Sequence, residues 1–248
     1  MSEWFEGFFS GLYGKVLAGQ FDDRRSLEQA RIVKRLLGVR RGKCVLDVPC
    51  GIGRLTLPMA RMGLAMTGVD FTPAFLRRGR RQARLQGLGV RFIQSDMREV
   101  DFDGEFDGVF NWFGSFGYFS DADNLEFCRR AFRALKPGGR FLVEGPNKTY
   151  VLSHFRARHE DVIGKVRVEQ RVRFDPGGSR ICGIWTMVRG AEVERHRIRI
   201  KLFSGAEMRA LLREAGFRRI ALHTRTPAES FTRHSRRLIA VATKPGSA

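Results

Sequence analysis

The sequence predicts an open α/β fold, a mainly parallel sheet with helices on both faces. Three observations carry this. Residues 44–54 read CVLDVPCGIGR, an apolar strand that ends in an acid and runs into a tight glycine turn. Residues 64–69 (LAMTGV) form a second apolar run ending in Asp70. Helix-compatible residues at 54–62 lie between them, so the three segments make one strand–helix–strand unit. Apolar runs of this kind belong to strands buried on both faces of a parallel sheet. Such sheets take nucleotide-like ligands at the carboxyl ends of their strands.

The turn carries the first functional signal. Glycine at 51 and 53 permits positive φ and lets a ligand approach the backbone with no Cβ in the way. Plain βα turns use glycine too. Asp70 sharpens the reading, because it follows the glycines by about 20 residues, where a carboxylate can accept both hydroxyls of a ribose. A dinucleotide-binding turn wants a third glycine, and that place holds Thr56.

The remaining elements follow in order. Residues 2–20 are aromatic-rich with one-sided helical spacing at Trp4, Phe5, Phe8, Phe9 and Leu12. Residues 26–37 form an amphipathic helix with Ser26 as N-cap and Gly38 as its stop. Thr72 and Pro73 open a helix that reaches Gln86. Residues 89–94 are strand three, closed by Ser95-Asp96-Met97; 106–112 are strand four. Residues 111–121 (NWFGSFGYFSD) form an aromatic loop at that strand's end. A helix over 121–135, a Lys-Pro-Gly-Gly turn and a strand over 140–144 come next, the last ending in Glu144, a base candidate or a structural carboxylate. Residues 146–161 read as a loop and short helix with His154 and His159. Three alternating runs at 165–174, 180–188 and 192–203, joined by hairpin turns, predict an inserted antiparallel meander. Ser204 and Glu207 form a capping box for a helix over 205–215. Strands over 217–225 and 236–244 end the fold.

Composition bounds the rest. The chain has 248 residues, enough for one large α/β domain with an insertion. It contains no long uncharged apolar run, so no membrane partner is expected. Its start carries two acids before the first lysine, unlike a secretory signal. Cys44, Cys50, Cys128 and Cys182 lack Cys-x-x-Cys spacing, which predicts reduced thiols, a cytoplasmic location and no metal site. The net charge is +19, of which residues 151–248 carry +12 (21 basic, 9 acidic). Arginines at 167, 171, 173, 195, 197 and 199 fall on one alternation of the meander. Such a surface suits an anionic small molecule or nucleic acid, or is a solvated, protected sheet edge.

These motifs together resemble the class I S-adenosylmethionine (SAM)-dependent methyltransferase family. The resemblance rests on Asp47-Val48-Pro49-Cys50-Gly51-Ile52-Gly53, Gly68-Val69-Asp70, Ser95-Asp96-Met97, the stretch Phe106 to Asn111, and Leu135-Lys136-Pro137-Gly138-Gly139. It implies a Rossmann-like seven-stranded sheet with SAM as cofactor. Residues 39–145 and 204–244 would form the SAM domain, 1–38 a helical lid and 146–203 an inserted substrate or dimer subdomain. Asp47 would meet the methionine ammonium and Arg54 its carboxylate, with Cys50, Gly51 and Gly53 forming the turn beneath. Asp70 would hold the ribose; Phe71, Asp96 and Met97 would hold the adenine, and Asn111 would close the floor. Tyr118, Tyr13 and His154 are the catalytic candidates, each with a core or surface role as its alternative. The loop lacks the Asn-Pro-Pro-Tyr of enzymes that methylate nucleic-acid amines, and resembles small-molecule enzymes acting on amines of nucleotide-linked sugars. The expected reaction is methyl transfer to an N or O atom of a small molecule. Docking of RNA on the basic sheet, or SAM binding without catalysis, are the alternatives.

Overall fold

The structure is a computed structural model that describes residues 4–17, 22–224 and 229–246. The ends of the expected first helix (2–3 and 18–20), Arg225 at the end of an expected strand, and residues 247–248 lie outside the described residues.

The central domain uses α3 (Asp23–Leu37), β1 (Cys44–Asp47), α4 (Thr56–Arg61), β2 (Ala65–Asp70), α5 (Pro73–Leu85), β3 (Val90–Gln94), β4 (Phe106–Asn111), α6 (Asp121–Ala134) and β5 (Leu135–Pro146). It resumes with α8 (Gly205–Glu214), β10 (Arg218–His223) and β11 (Arg237–Thr243). The sheet order is β10-β11-β5-β4-β1-β2-β3. Strands β1 to β5 are parallel; β11 inserts antiparallel between β5 and β10. The order reverses between β1 and β4, and there a crevice opens at the strands' carboxyl ends.

Alternation along the strands fills both faces. Val45, Phe110 and Leu142 point to the side covered by α3 and α4, among Ala30, Val33 and Met59. Leu46, Val109, Phe141 and Val143 point to the opposite side, among Phe127, Met208 and Leu212 of α6 and α8. The helices are cut where capping chemistry dictates. Asp22, not Ser26, caps α3 by accepting from Arg25 N–H at 2.6 Å. Ser26 lies inside the helix, buried, with its hydroxyl donating to Asp22 O. Gly38 ends the helix at φ 69° as expected. The Lys136–Gly139 turn is absorbed into β5, where its pairing with β4 shifts register.

The insertion has α7 (Lys148–Ser153) and four strands, not three: β6 (Arg158–Ile163), β7 (Val166–Phe174), β8 (Arg180–Arg189) and β9 (Glu192–Lys201). They pair antiparallel in that order. Strand β6 leaves no alternation in the sequence because it is an edge strand with no buried residue. The inward residues Val166, Val168, Met187 and Ile198 are buried. Register places Arg171 and Arg173 of β7 beside Ile184 and Cys182 of β8, which pair in turn with Arg197 and Arg199 of β9. These four arginines are exposed, on the face turned away from the core.

The expected N-terminal helix is two: α1 (Trp4–Ser10) and α2 (Leu12–Leu17), broken at Gly11. A Cβ there would lie 2.3 Å from Glu194 Oε2. The same oxygen accepts Leu12 N–H at 2.8 Å. The inner face of the inserted sheet is therefore the platform on which Phe8 and Leu12 of α1–α2 pack. Among the described residues no helix is long and apolar enough to cross a membrane.

Phe110 is fully buried between the sheet and α3. Phe110→Ala is expected to lower unfolding free energy by roughly 3–5 kcal/mol through lost burial and a cavity. Chemical denaturation measures it; a loss under about 1 kcal/mol would mean that this core is loosely packed.

Candidate active site

One cleft holds most of the residues singled out above. It opens over the carboxyl ends of β1, β2 and β4 and encloses about 1140 Å³, its mouth included.

The floor is the turn after β1. Gly51 has φ 57°, and a Cβ on it would meet no atom within 4 Å, so its open side faces the cleft. Gly53 works differently: a Cβ there would press on Phe92 and Leu57 at 3.1 and 3.3 Å, so this glycine serves packing. It does not line the cleft. Asp70, buried at the end of β2, ties the turn down. Its Oδ2 accepts Gly51 N–H at 2.8 Å and its Oδ1 accepts Thr72 N–H at 2.8 Å. Each oxygen keeps a second lone pair for a ligand hydroxyl.

Asp47 stands at the end of β1, 3% exposed, and Oδ2 accepts the Thr56 hydroxyl at 2.6 Å. Burial pushes its carboxyl up to about 7, against the opposing effects of Thr56 and Arg54. Burial also raises Asp70. Two buried acids stand beside an open glycine turn, with Arg54 close enough to Asp47 for their charges to act on each other. Arg54 Nη1 donates to Gln29 Oε1 at 2.7 Å and the guanidinium lies 5.5 Å from the Phe113 ring centroid. Burial lowers it to about 10, still cationic at neutral pH.

The adenine side is less open than expected. Asp96 lines the cleft, but its two oxygens are engaged by Arg98 at 2.8–3.2 Å and by Arg98 N–H at 2.8 Å. Cys50, Phe71 and Met97 also line the cleft. Asn111 is fully buried and lies beneath it, with Nδ2 donating to Val48 O at 3.0 Å. It braces the turn from β4 and does not reach the cavity.

The roof is aromatic. Phe5, Phe9 and Tyr13 of the N-terminal segment line the cleft opposite Phe71, Phe119 and Tyr118. Ring centroids sit 5.5 Å apart for Phe5–Phe71 and 5.0 Å for Trp4–Tyr118. The segment's other side stacks on the inserted sheet, with Phe8 5.4 Å and Tyr13 5.6 Å from Trp185. Edge-to-face pairs of this kind are each worth about 0.5–1.5 kcal/mol beyond burial. Burial drives the Tyr118 hydroxyl well above its ordinary range and Tyr13 to about 12, so both stay protonated. Of the three catalytic candidates, Tyr13 and Tyr118 face the cleft and His154 does not. His154 ends α7, exposed, stacked on Tyr150 at 4.0 Å with Nδ1 2.9 Å from Tyr150 O.

The aromatic loop expected at the end of β4 supplies part of the wall. Trp112 and Phe113 follow β4 into the cleft wall. Phe113 has φ 79°, a conformation that costs a non-glycine residue about 1–3 kcal/mol. Glu144 holds it there: Oε2 accepts Phe113 N–H at 2.8 Å, Glu144 O accepts Gly114 N–H at 3.2 Å, and Oε1 pairs with Arg237. Glu144 is thus a structural carboxylate. No feature of the local sequence signals positive φ at a phenylalanine.

Comparison with known proteins agrees with this geometry. A family described as "Methyltransferase domain" matches residues 45–139. The ubiquinone/menaquinone biosynthesis C-methyltransferase UbiE of Azotobacter vinelandii is 30% identical over 205 residues, covering 79% of this chain and 74% of that one. The demethylmenaquinone methyltransferase of Thermus thermophilus is 38% identical over 104 residues, 41% of this chain and 46% of that one. The chain thus spans under half the length of some curated relatives it matches. Among solved structures, the CcbJ methyltransferase of Streptomyces caelestis superposes with a TM-score of 0.78 at 19% identity, covering 94% of this chain and 96% of that one. This last likeness is one of fold.

Protonated Asp47 gives a ligand ammonium nothing to pair with. SAM affinity should therefore fall as pH drops through about 7 and level off above it, approaching tenfold per pH unit on the acid side. The unliganded fold should lose stability as pH rises from the ordinary carboxylate range towards 7, because folded Asp47 keeps a proton that the unfolded chain releases. Calorimetric titration across pH 5.5–8.5 checks the first effect, and Asp47→Asn should flatten the profile.

Proposed function

The chain belongs to the class I SAM-dependent methyltransferase family, and from that premise we propose that it transfers the methyl group to a small-molecule amine nitrogen held against the aromatic wall. The supporting observation is the make-up of the cleft: nine aromatic side chains line it, with no histidine or lysine among the described lining residues.

SAM supplies a methyl carbon already activated by its sulfonium. The protein's work is binding, alignment and exclusion of water, which together can account for much of the barrier. Asp47 takes the ammonium and Asp70 the ribose hydroxyls. Gly51 leaves room for the ligand, and Arg54 sets a positive charge near the methionine carboxylate. Phe71 and Met97 pack on the adenine, while the Arg98-bound Asp96 receives the exocyclic amine on its remaining lone pairs. Tyr13 and Tyr118 are hydrogen-bond donors that orient the acceptor and are not bases.

An aliphatic hydroxyl must shed a proton to attack, and the described lining offers no histidine or lysine for it, its carboxylates Asp47, Asp70 and Asp96 being assigned here to the cofactor. A neutral amine attacks as it stands. The faces of the surrounding rings would favour the positive charge carried by the sulfonium and by the methylated nitrogen. The nitrogen half of the N-or-O expectation is therefore the better supported. A second reading comes from the 30%-identical relative, which is named as a C-methyltransferase. A phenolate ring would attack through carbon with its own charge, breaking the methyl–sulfur bond, and the hydrogen on the attacked carbon would then leave as a proton to water.

The test supplies methyl-labelled SAM with benzylamine, an amino sugar and a 1,4-hydroquinone, and locates the label by mass spectrometry and NMR. N-methyl product at a rate that rises with pH until the amine is deprotonated is the expected result. Ring methylation would move the assignment to the second reading. Micromolar SAM binding with transfer to none of the three would sink both. Asp70→Ala should weaken SAM binding by roughly 1–3 kcal/mol; unchanged affinity would put the ribose elsewhere.

A further inference from the structure

We infer that the inserted sheet shapes the acceptor wall from behind: Arg180 of β8 and Lys201 of β9 are positioning residues that hold residues 117–121 so that Tyr118 stays in the cleft. The inference rests on the methyl-transfer reading and deepens it, giving the insertion a part in acceptor recognition. The loop after β4 is fastened to the insertion on both sides of Tyr118. Before it, Gly117 O accepts Lys201 N–H at 2.7 Å. After it, Phe119 O accepts from Arg180 Nη1 at 3.0 Å. Asp121, the first residue of α6, closes the grip. Its Oδ2 accepts from Lys201 Nζ at 2.6 Å and its Oδ1 pairs with Arg180.

The grip has a direction. Tyr118 lines the cleft, whereas Gly117, Asp121, Arg180 and Lys201 are not among its described lining residues. The backbone on either side of Tyr118 is therefore held from the insertion, and its ring faces the other way. Trp4 and Phe9 of α1 cover that ring, with centroids 5.0 and 6.1 Å away. No side chain separates loop from sheet, because a Cβ on Gly117 would lie 2.2 Å from Lys201 O. The two cations are largely buried, their side chains 12% and 17% exposed. Buried charges need partners. Here one carboxylate serves both, and Arg180 spends a further donor on the Phe119 carbonyl, so the same side chains that satisfy each other fix the loop. Placement matters to a group that orients the acceptor, since an error of about 1 Å can cost about a hundredfold in rate.

The test uses the full-length protein. Benzylamine is titrated into enzyme saturated with S-adenosylhomocysteine, which cannot react, and steady-state kinetics with SAM are run beside it. Arg180→Met, which keeps an apolar stem and removes the charge, should weaken benzylamine binding and raise its KM about tenfold. The kcat and SAM affinity should stay within about threefold. Asp121→Asn, at the exposed end of the cluster, should act in the same direction and guards against a misfolded Arg180 variant. Tyr118→Phe should raise the KM too, and Tyr118→Phe/Arg180→Met should be no worse than Tyr118→Phe alone. The chain has three tyrosines, so fluorotyrosine labelling gives a probe that needs no acceptor. The Tyr118 signal, assigned by its loss in Tyr118→Phe, should shift and broaden in Arg180→Met. Unchanged KM and binding in both Arg180→Met and Asp121→Asn, or effects strictly additive with Tyr118→Phe, would overturn the inference. So would a loss of SAM affinity as large as the rise in KM, which would make the cluster a general support of the fold. If wild-type enzyme methylates no acceptor, the functional reading fails. The fluorine signal then still decides whether the insertion holds Tyr118, and an unmoved signal overturns it.

Discussion

The carboxylate of Asp70 is the point on which the cofactor half of the molecule turns. One oxygen fixes the glycine turn after β1 and the other fixes the start of α5 after β2. Two loops that would otherwise be independent are thus held at one spacing by a single buried group. The arrangement carries a desolvation cost, visible in the raised pKa. It leaves a site in which Gly51 and Thr72 N–H are engaged by Asp70 and two buried acids line the cleft. That combination suits a ligand that brings its own positive charge and hydroxyls. Asp47 extends the same logic on the next strand, where it accepts the Thr56 hydroxyl.

The acceptor half obeys a different constraint. It is assembled from three places in the chain: the N-terminal segment, the loop after β4 and, behind both, the inserted sheet. None of these forms a regular wall alone. The N-terminal segment is too short to fold unaided, since isolated helices of this length are unstable in water. It is stable here because it is apolar on two sides, with Phe5 and Phe9 towards the cleft and Phe8 and Leu12 towards β7–β9. Loop and sheet also touch directly. Lys201 N–H donates to Gly117 O at 2.7 Å, and a Cβ on Gly117 would lie 2.2 Å from Lys201 O, so only glycine fits there.

Much of this was legible in the sequence for identifiable reasons. Apolar runs ending in Asp47, Asp70 and Asp96 mark strands whose carboxyl ends meet, and parallel topology brings those ends to one edge. Asp70 lies at the spacing that the chemistry demands. What escaped was whatever depends on long-range contact. Strand β6 buries nothing, so its pattern is blank. Gly53 and Asn111 sit inside the motif yet serve packing and bracing, a distinction that only neighbours such as Phe92 and Val48 make. His154 carries a reactive ring on a helix that points away from the cleft. The left-handed Phe113 is imposed by Glu144, which lies 31 residues further along the chain.

The bond from Leu12 N–H to Glu194 joins residues 182 positions apart. These two helices therefore lack their platform on the inserted sheet until the chain has been made as far as Glu194. The sheet platform must form before they can settle, and closure over so long a loop is slow. A segment made before the sheet thus settles after it. It touches the central domain through side-chain rings and makes no strand pairing there, so a local opening can release it while the seven-stranded sheet stays intact. Order of assembly and order of opening are mirror images here, and both leave the cofactor floor in place.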